Sequence, residues 1–277
     1  LSKFKLIIYC NIFGYLINVV LIYYLIESWQ IKGAIYAIVL TPVALSVLSF
    51  YYFAKIVGLK KVISLKRFDW SIVKNLSSFS LMTLIGGILT PIIYLQIRNV
   101  ITINYDITIA GYWTSMTRIA TFYMMFVTSI CSLYFYPRLS KANDKTNQKT
   151  IIKEYLLRLM PVAIVGFLMV YFLRIYIIKV VLSEDFLEIS PLFFWQIFGD
   201  LLKSIAMIFG YALLANKMTK SFIILEILSL GSFFILSKFL IKYGVNWIVI
   251  SYFYSNAIYL ICILITYFKT NNELRIN

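Results

Sequence analysis

Long apolar runs without a single charged residue recur along this chain, and they constrain its fold more than any other feature. Five such runs, each bounded by charged residues, lie at 6–26, 33–54, 75–97, 119–137 and 243–268. Three more, at 151–182, 189–215 and 221–243, are of similar length but carry charges inside. Since about 20 apolar residues cross the hydrocarbon core of a bilayer, each run predicts a spanning helix.

We therefore predict an all-α polytopic membrane protein with eight transmembrane helices. The predicted spans are 4–26, 33–57, 77–101, 109–136, 151–182, 189–215, 221–243 and 245–268. The composition agrees, because 62% of the 277 residues are apolar and 13% are charged, whereas a soluble domain is nearer half apolar and a quarter charged. The connections between spans are too short to house a soluble catalytic domain.

The residue types that most enzyme and metal sites require are scarce in this sequence. It contains no histidine, and its three cysteines, Cys10, Cys131 and Cys262, lie singly inside apolar runs. Catalysis by Ser-His or Cys-His pairs and metal binding through histidine are therefore excluded. No CxxC motif supports a zinc or disulfide framework. We expect no metal, no cofactor and no enzymatic activity.

The formal charge of +15 is explained by membrane topology. Lys and Arg are concentrated at one set of helix ends, above all in the basic segments 58–69 and 137–150. The positive-inside rule places that side in the cytoplasm. Both termini of this piece are then cytoplasmic, and the charge does not indicate a nucleic-acid partner.

Several polar residues lie inside the predicted spans, where charged side chains are costly and usually face protein or a wet cavity. Arg118 shares a helical face with Gly111 and Ser115 near the bilayer midplane, while Met116 and Tyr123 occupy the opposite face. The candidate substrate-binding residues are Arg118, Lys203, Arg98, Tyr94 and Gln196, and the candidates for ion coupling are Asp200 and Glu226.

Purely structural roles remain open for the same residues. Small residues on a helical face permit close helix packing, and Asp200 and Lys203, three residues apart, can pair and neutralise each other. Arg98 lies nearer a helix end, from which its side chain can reach the interface. Glu226 is either a packing residue or a proton site.

Three sequence blocks resemble those of the Wzx-type polysaccharide flippases. They are AGYWTSMTRIA at 110–120, LYFYPRLS at 133–140 and PLFFWQIFGDLLKSI at 191–205. The last block contains a GD-x-x-K pattern that is typical of the tenth helix in that family, which belongs to the multidrug/oligosaccharidyl-lipid/polysaccharide exporter superfamily. The resemblance runs over the whole chain.

The resemblance implies a partial version of a twelve-helix, two-lobe fold, in which this chain supplies helices five to twelve. Residues 1–57 are then the last two helices of the N-terminal lobe, and 58–69 are a cytoplasmic inter-lobe linker. Residues 70–268 form a six-helix C-terminal lobe, and 269–277 a cytoplasmic tail. We expect four further helices in the complete protein.

The resemblance also implies a function. The substrate is expected to be an undecaprenyl-pyrophosphate-linked oligosaccharide, an O-antigen or enterobacterial common antigen repeat unit. Alternating access would carry it from the cytoplasmic to the periplasmic leaflet of the bacterial inner membrane. Membrane lipid and the polymerase and chain-length proteins of the same pathway are the expected partners. Arg118 and Lys203 would bind the pyrophosphate, and Tyr94 and Gln196 the sugar.

Three alternatives remain. A cation-coupled multidrug exporter of the same superfamily requires an acidic cavity, whereas the buried charges here lean basic. A membrane polysaccharide polymerase requires a sizeable loop outside the membrane. A membrane subunit that does not itself transport is the third.

Overall fold

A computed structural model describes residues 2–57, 70–142 and 144–276, and the regular elements in those ranges are all helical. The helices are α1 (Ser2–Val57), α2 (Trp70–Asn104), α3 (Ile107–Ile130), α4 (Tyr136–Ser140), α5 (Lys145–Val181), α6 (Leu192–Ala215), α7 (Thr219–Leu240) and α8 (Asn246–Ile276). The predicted fold class, an all-α polytopic membrane protein, is confirmed. The predicted inter-lobe linker at 58–69 lies outside the described residues.

The described helices contain seven apolar stretches that are long enough to cross a membrane. The first of them, in α1, is interrupted at Gln30, whose φ of 49° and ψ of −127° are not helical. This break falls between the predicted spans 4–26 and 33–57. Helix α1 therefore supplies two of the eight predicted spans.

The chain divides into two compact units, Leu1–Ile72 and Val73–Asn277. In the first unit, the two arms of α1 run antiparallel on either side of Gln30. Thr41 donates a hydrogen bond of 2.7 Å to the side-chain oxygen of Asn18 on the other arm. Gly33 is needed beside the break, because a Cβ atom there would lie 1.8 Å from the carbonyl oxygen of Leu25.

Helix α6 is the centre of the second unit. In its most apolar stretch 61% of the residues are buried, against 44% for α8 and 33% or less for the other spans. It packs against α3, α5, α7 and α8. Small buried residues on α6, including Gly199, Ser204 and Gly210, permit this close packing.

Local sequence signals account for the ends of several helices in this unit. The carboxylates of Asp106 and Asp144 cap α3 and α5, each accepting a hydrogen bond from a backbone N–H three residues later. A short π-helix over Cys131–Phe135 joins α3 to α4, and Pro137 follows after one intervening residue. The ring and missing N–H of that proline interrupt the regular ladder.

Candidate functional site

Two adjoining cavities lie between helices α2, α3, α6, α7 and α8. The first, of about 250 Å³, is bordered mainly by α7 and α8 and is called here the α7–α8 cavity. The second, of about 430 Å³, is bordered largely by α3 and is called the α3 cavity. Five residues line both cavities: Thr90, Tyr94, Thr128, Lys203 and Tyr252. The two hollows therefore meet around the side chain of Lys203.

Lys203 brings a positive charge to the centre of the bundle. It lies midway along α6, about 17 Å from either end at 1.5 Å per residue. Within the described ranges the ion pairs are Arg138–Glu154 and Lys179–Glu184, so no carboxylate oxygen there lies within 4.0 Å of the Lys203 ammonium. An unpaired ammonium at this depth is costly unless polar groups or water surround it. Four residues with hydroxyl groups line both cavities together with Lys203: Thr90, Tyr94, Thr128 and Tyr252.

Asp200 lies one turn before Lys203 and is 1% exposed. Its carboxylate accepts three hydrogen bonds: from the Tyr252 hydroxyl at 2.7 Å, from the Tyr123 hydroxyl at 2.5 Å and from the Gln196 amide at 3.1 Å. Since Tyr123 belongs to α3 and Tyr252 to α8, this one carboxylate connects three helices. Pairing of Asp200 with Lys203, which the sequence left open as a structural alternative, is not observed. The Asp200 oxygens accept from these neutral donors instead.

Gly199 makes the contact between Tyr252 and Asp200 possible. A Cβ atom at position 199 would lie 2.6 and 2.8 Å from two ring atoms of Tyr252 and 3.4 Å from the backbone of Phe253. Steric packing thus explains why glycine precedes aspartate in the GD pair of the block at 191–205. Glycine lets the Tyr252 ring lie against α6, and the aspartate that follows accepts its hydroxyl.

Glu226 on α7 lines the α7–α8 cavity together with Lys203. Its carboxylate accepts a hydrogen bond of 3.3 Å from the Tyr259 hydroxyl. Nearby, Ser255 donates to the Ser229 carbonyl at 2.7 Å and accepts from Ser232 at 3.1 Å. This wall therefore offers hydroxyl groups and a carboxylate to whatever occupies the cavity.

Five of the seven predicted site residues meet at these cavities: Tyr94, Gln196, Asp200, Lys203 and Glu226. The other two, Arg98 and Arg118, are exposed and line neither hollow. The α3 residues that border the α3 cavity are instead on the face of Thr117, Thr121 and Thr128. Substrate binding by the two arginines stays a prediction.

The expectation that the buried charges lean basic is not met at this site. Among the described residues, the charged ones that line the two cavities are Lys203, Asp200 and Glu226. Arg98 and Arg118, two of the three cations that the sequence placed on polar faces, line neither cavity.

Sequence reasoning missed the tyrosines that bind the two carboxylates. Tyr123 was assigned to an apolar face of α3, yet its hydroxyl reaches Asp200. Tyr252 and Tyr259 lie in a span without charges, among many other aromatic residues. Their spacing of seven residues, two helical turns, places them on one face of α8, and this was the available signal.

Two curated proteins are similar to the chain, the lipid III flippases of Escherichia coli (strain K12) and Shigella flexneri. Each is 30% identical over 159 residues, which is 57% of this chain and 38% of the relative. The chain thus spans well under half the length of these relatives. The similarity confirms the predicted resemblance to a Wzx-type flippase over 57% of the chain. No family model and no solved structure matches the chain.

Proposed function

We propose that the two cavities bind the headgroup of a lipid-linked oligosaccharide while the protein moves that headgroup across the bilayer. The observation that carries this proposal is the Lys203 ammonium, which borders both cavities midway along α6 and has no ion-pair partner among the described residues. A phosphate or pyrophosphate oxygen is a strong acceptor for such a group. The similarity to lipid III flippases supports the same reading.

The walls of the cavities suit the sugar part of such a substrate. Tyr94 is partly buried, lines both hollows and packs its ring against Trp113 and Phe233. Ser229 and Asn256 add polar groups on the α7–α8 side. Aromatic faces together with hydroxyl and amide groups match the mixed apolar and hydrogen-bonding surface of a sugar ring.

In this proposal the substrate is an undecaprenyl-pyrophosphate-linked repeat unit that passes from the cytoplasmic to the periplasmic leaflet of the inner membrane by alternating access. Both termini of this piece lie on the cytoplasmic side. Glu226 supplies the acid for coupling to an ion gradient, since it borders the cavity and accepts one hydrogen bond, of 3.3 Å, from the described part of the chain.

Transport into vesicles tests the proposal. Purified protein in liposomes is given a synthetic polyprenyl-pyrophosphate-linked N-acetylglucosamine, and a lectin that does not cross the membrane reports the sugar on each face. Lys203→Gln should slow transfer about tenfold or more, the size expected for losing one charge-assisted hydrogen bond. Lys179→Gln is the matched control, because Lys179 is exposed and pairs with Glu184 away from the cavities.

The same assay tests the exposed arginines, since Arg118→Ala should transfer the lipid at the rate of the unchanged protein if the cavities alone bind it. The proposal fails if Lys203→Gln transports as fast as the unchanged protein at equal amounts of folded protein.

One observation favours a second function, that of a multidrug exporter for organic cations. Glu226 and several tyrosine rings border the same cavity as Lys203, and such a wall also attracts cations. Binding of ethidium to the purified protein separates the two functions. Ethidium binding that is lost in Glu226→Gln and unchanged in Lys203→Gln would support the exporter.

A further inference from the structure

Two carboxylates lie near Lys203, and in the described part of the chain neither forms an ion pair with it. Asp200 is three residues away on the same helix, a spacing at which opposite charges ordinarily interact. Glu226 lines the same cavity from α7. Each carboxylate instead accepts a hydrogen bond from a tyrosine hydroxyl.

The three donors around Asp200 fill most of the acceptor positions of its carboxylate, so few remain for the Lys203 ammonium. Tyr252 donates to Oδ1, while Tyr123 and Gln196 both donate to Oδ2. The two tyrosines come from α3 and α8, and both are held by ring contacts, Tyr123 against Phe167 and Tyr252 against Phe233. The carboxylate is thus satisfied by neutral groups that are fixed in place.

We infer that Tyr123 and Tyr252 are positioning residues that determine anion specificity: by occupying Asp200, they keep the Lys203 ammonium available for a phosphate group in the cavities. The inference rests on the proposed function, and it names the residues that leave the Lys203 ammonium free to bind phosphate. Gly199 contributes to the same arrangement, because only a residue without Cβ leaves room for the Tyr252 ring beside Asp200.

Removing the hydroxyl groups of Tyr123 and Tyr252 should lower the affinity of the site for anions. Asp200 would then lose two of its three hydrogen bonds while buried and would keep only the one from the Gln196 amide. The nearest cation on α6 is Lys203, one turn away, and pairing of the two would satisfy both groups. The cavities would lose their free positive charge although Lys203 itself is unchanged.

A rescue experiment distinguishes this role from a structural one. The probe is geranylgeranyl pyrophosphate, and its dissociation constant is measured by calorimetry with the full chain in detergent micelles. Geranylgeraniol, which has the same tail without phosphate, is the control ligand. The variants are Tyr123→Phe/Tyr252→Phe, the same pair combined with Asp200→Asn, Asp200→Asn alone, and Lys203→Gln.

The double tyrosine variant should bind the pyrophosphate about tenfold or more weakly, the loss expected for one charge-assisted contact. Adding Asp200→Asn should restore binding to near that of the unchanged protein, because a neutral amide cannot hold the ammonium. Asp200→Asn alone should bind as tightly as the triple variant, because neither has a carboxylate at position 200 to pair with the ammonium. Binding of geranylgeraniol should not change in any variant.

Two results overturn the inference: a double tyrosine variant that binds as the unchanged protein does, or a triple variant that stays as weak as the double. If Lys203→Gln binds as the unchanged protein does, the proposed function itself fails. If Lys203→Gln is weak and the tyrosine variants are normal, this inference alone fails.

A spectroscopic readout covers the case in which the double variant does not fold. The infrared carboxylate band of Asp200, identified by its absence in Asp200→Asn, should shift in Tyr252→Phe and in Tyr123→Phe as the hydroxyl donors are removed singly. An unshifted band in both single variants contradicts the inference.

Discussion

Replacing Gly199 with alanine should destabilise the protein through a single clash with Tyr252. The new Cβ atom would lie 2.6 and 2.8 Å from two ring atoms of Tyr252, so the ring must move away from α6. Overpacking of this kind costs about 1–3 kcal/mol. The weakened hydrogen bond to Asp200 adds about 0.6–1.7 kcal/mol, the range measured inside membranes. The better helix propensity of alanine offsets about 1 kcal/mol of this loss of stability. The net expected loss is about 1–4 kcal/mol.

Titration with sodium dodecyl sulfate in mixed micelles measures the free energy of unfolding for this comparison. Gly231→Ala on α7 is the matched control, since a Cβ atom there meets no atom within 4 Å. The control should be as stable as the unchanged protein or slightly more stable. Equal stability of Gly199→Ala and Gly231→Ala would refute the steric reasoning.

A double-mutant cycle locates the clash. In a Tyr252→Ala background the ring is absent, so Gly199→Ala should no longer cost stability. If the cost persists there, the Cβ atom meets something other than Tyr252. The backbone of Phe253, at 3.4 Å, is the next neighbour to consider.

Two smaller predictions concern other parts of the chain. The Ser237 hydroxyl on α7 is buried without a hydrogen-bond partner in the described structure, so Ser237→Ala should leave the free energy of unfolding unchanged or raise it by up to about 1 kcal/mol; a clear loss in the detergent titration would show a partner. The hydrogen bond from Lys179 lowers the pKa of Glu184 below its ordinary 4.5, so the pair stabilises the fold at neutral pH and this contribution disappears as the pH falls through the lowered pKa. Lys179→Gln should return that pKa to its ordinary value in a carboxyl-carbon NMR titration, and an unchanged pKa would contradict the pairing.

The spanning helices were predictable because one physical requirement dominates them. A backbone in hydrocarbon must satisfy its own hydrogen bonds, so the length of an uncharged apolar run predicts a helix without knowledge of its neighbours. Even the break in α1 was visible, since Gln30 lies between Glu27 and Lys32, the charges that bound the first two runs.

The site was only half predictable, because helical spacing shows which residues share a face but does not show what that face packs against. It correctly placed Gln196, Asp200 and Lys203 together on α6. It gave Arg118 a polar face, and Arg118 itself is exposed and lines neither cavity.

The partners of Asp200 depend on tertiary packing. Tyr123 and Tyr252 are 77 and 52 residues away in sequence. Apart from the seven-residue spacing of Tyr252 and Tyr259, nothing local separates them from the other 20 of the 22 tyrosines. What brings them to Asp200 is the close approach of α8 to α6 at Gly199, which only the folded structure shows.

The position of a bound pyrophosphate relative to Lys203 is the most direct test of the proposed site. A crystal structure of the protein grown in a lipid phase with geranylgeranyl pyrophosphate should show a phosphate oxygen within hydrogen-bonding distance of the Lys203 ammonium. Asp200 should still accept from Tyr123 and Tyr252. A pyrophosphate bound at Arg98 or Arg118, with Lys203 paired to Asp200, would contradict the site described above.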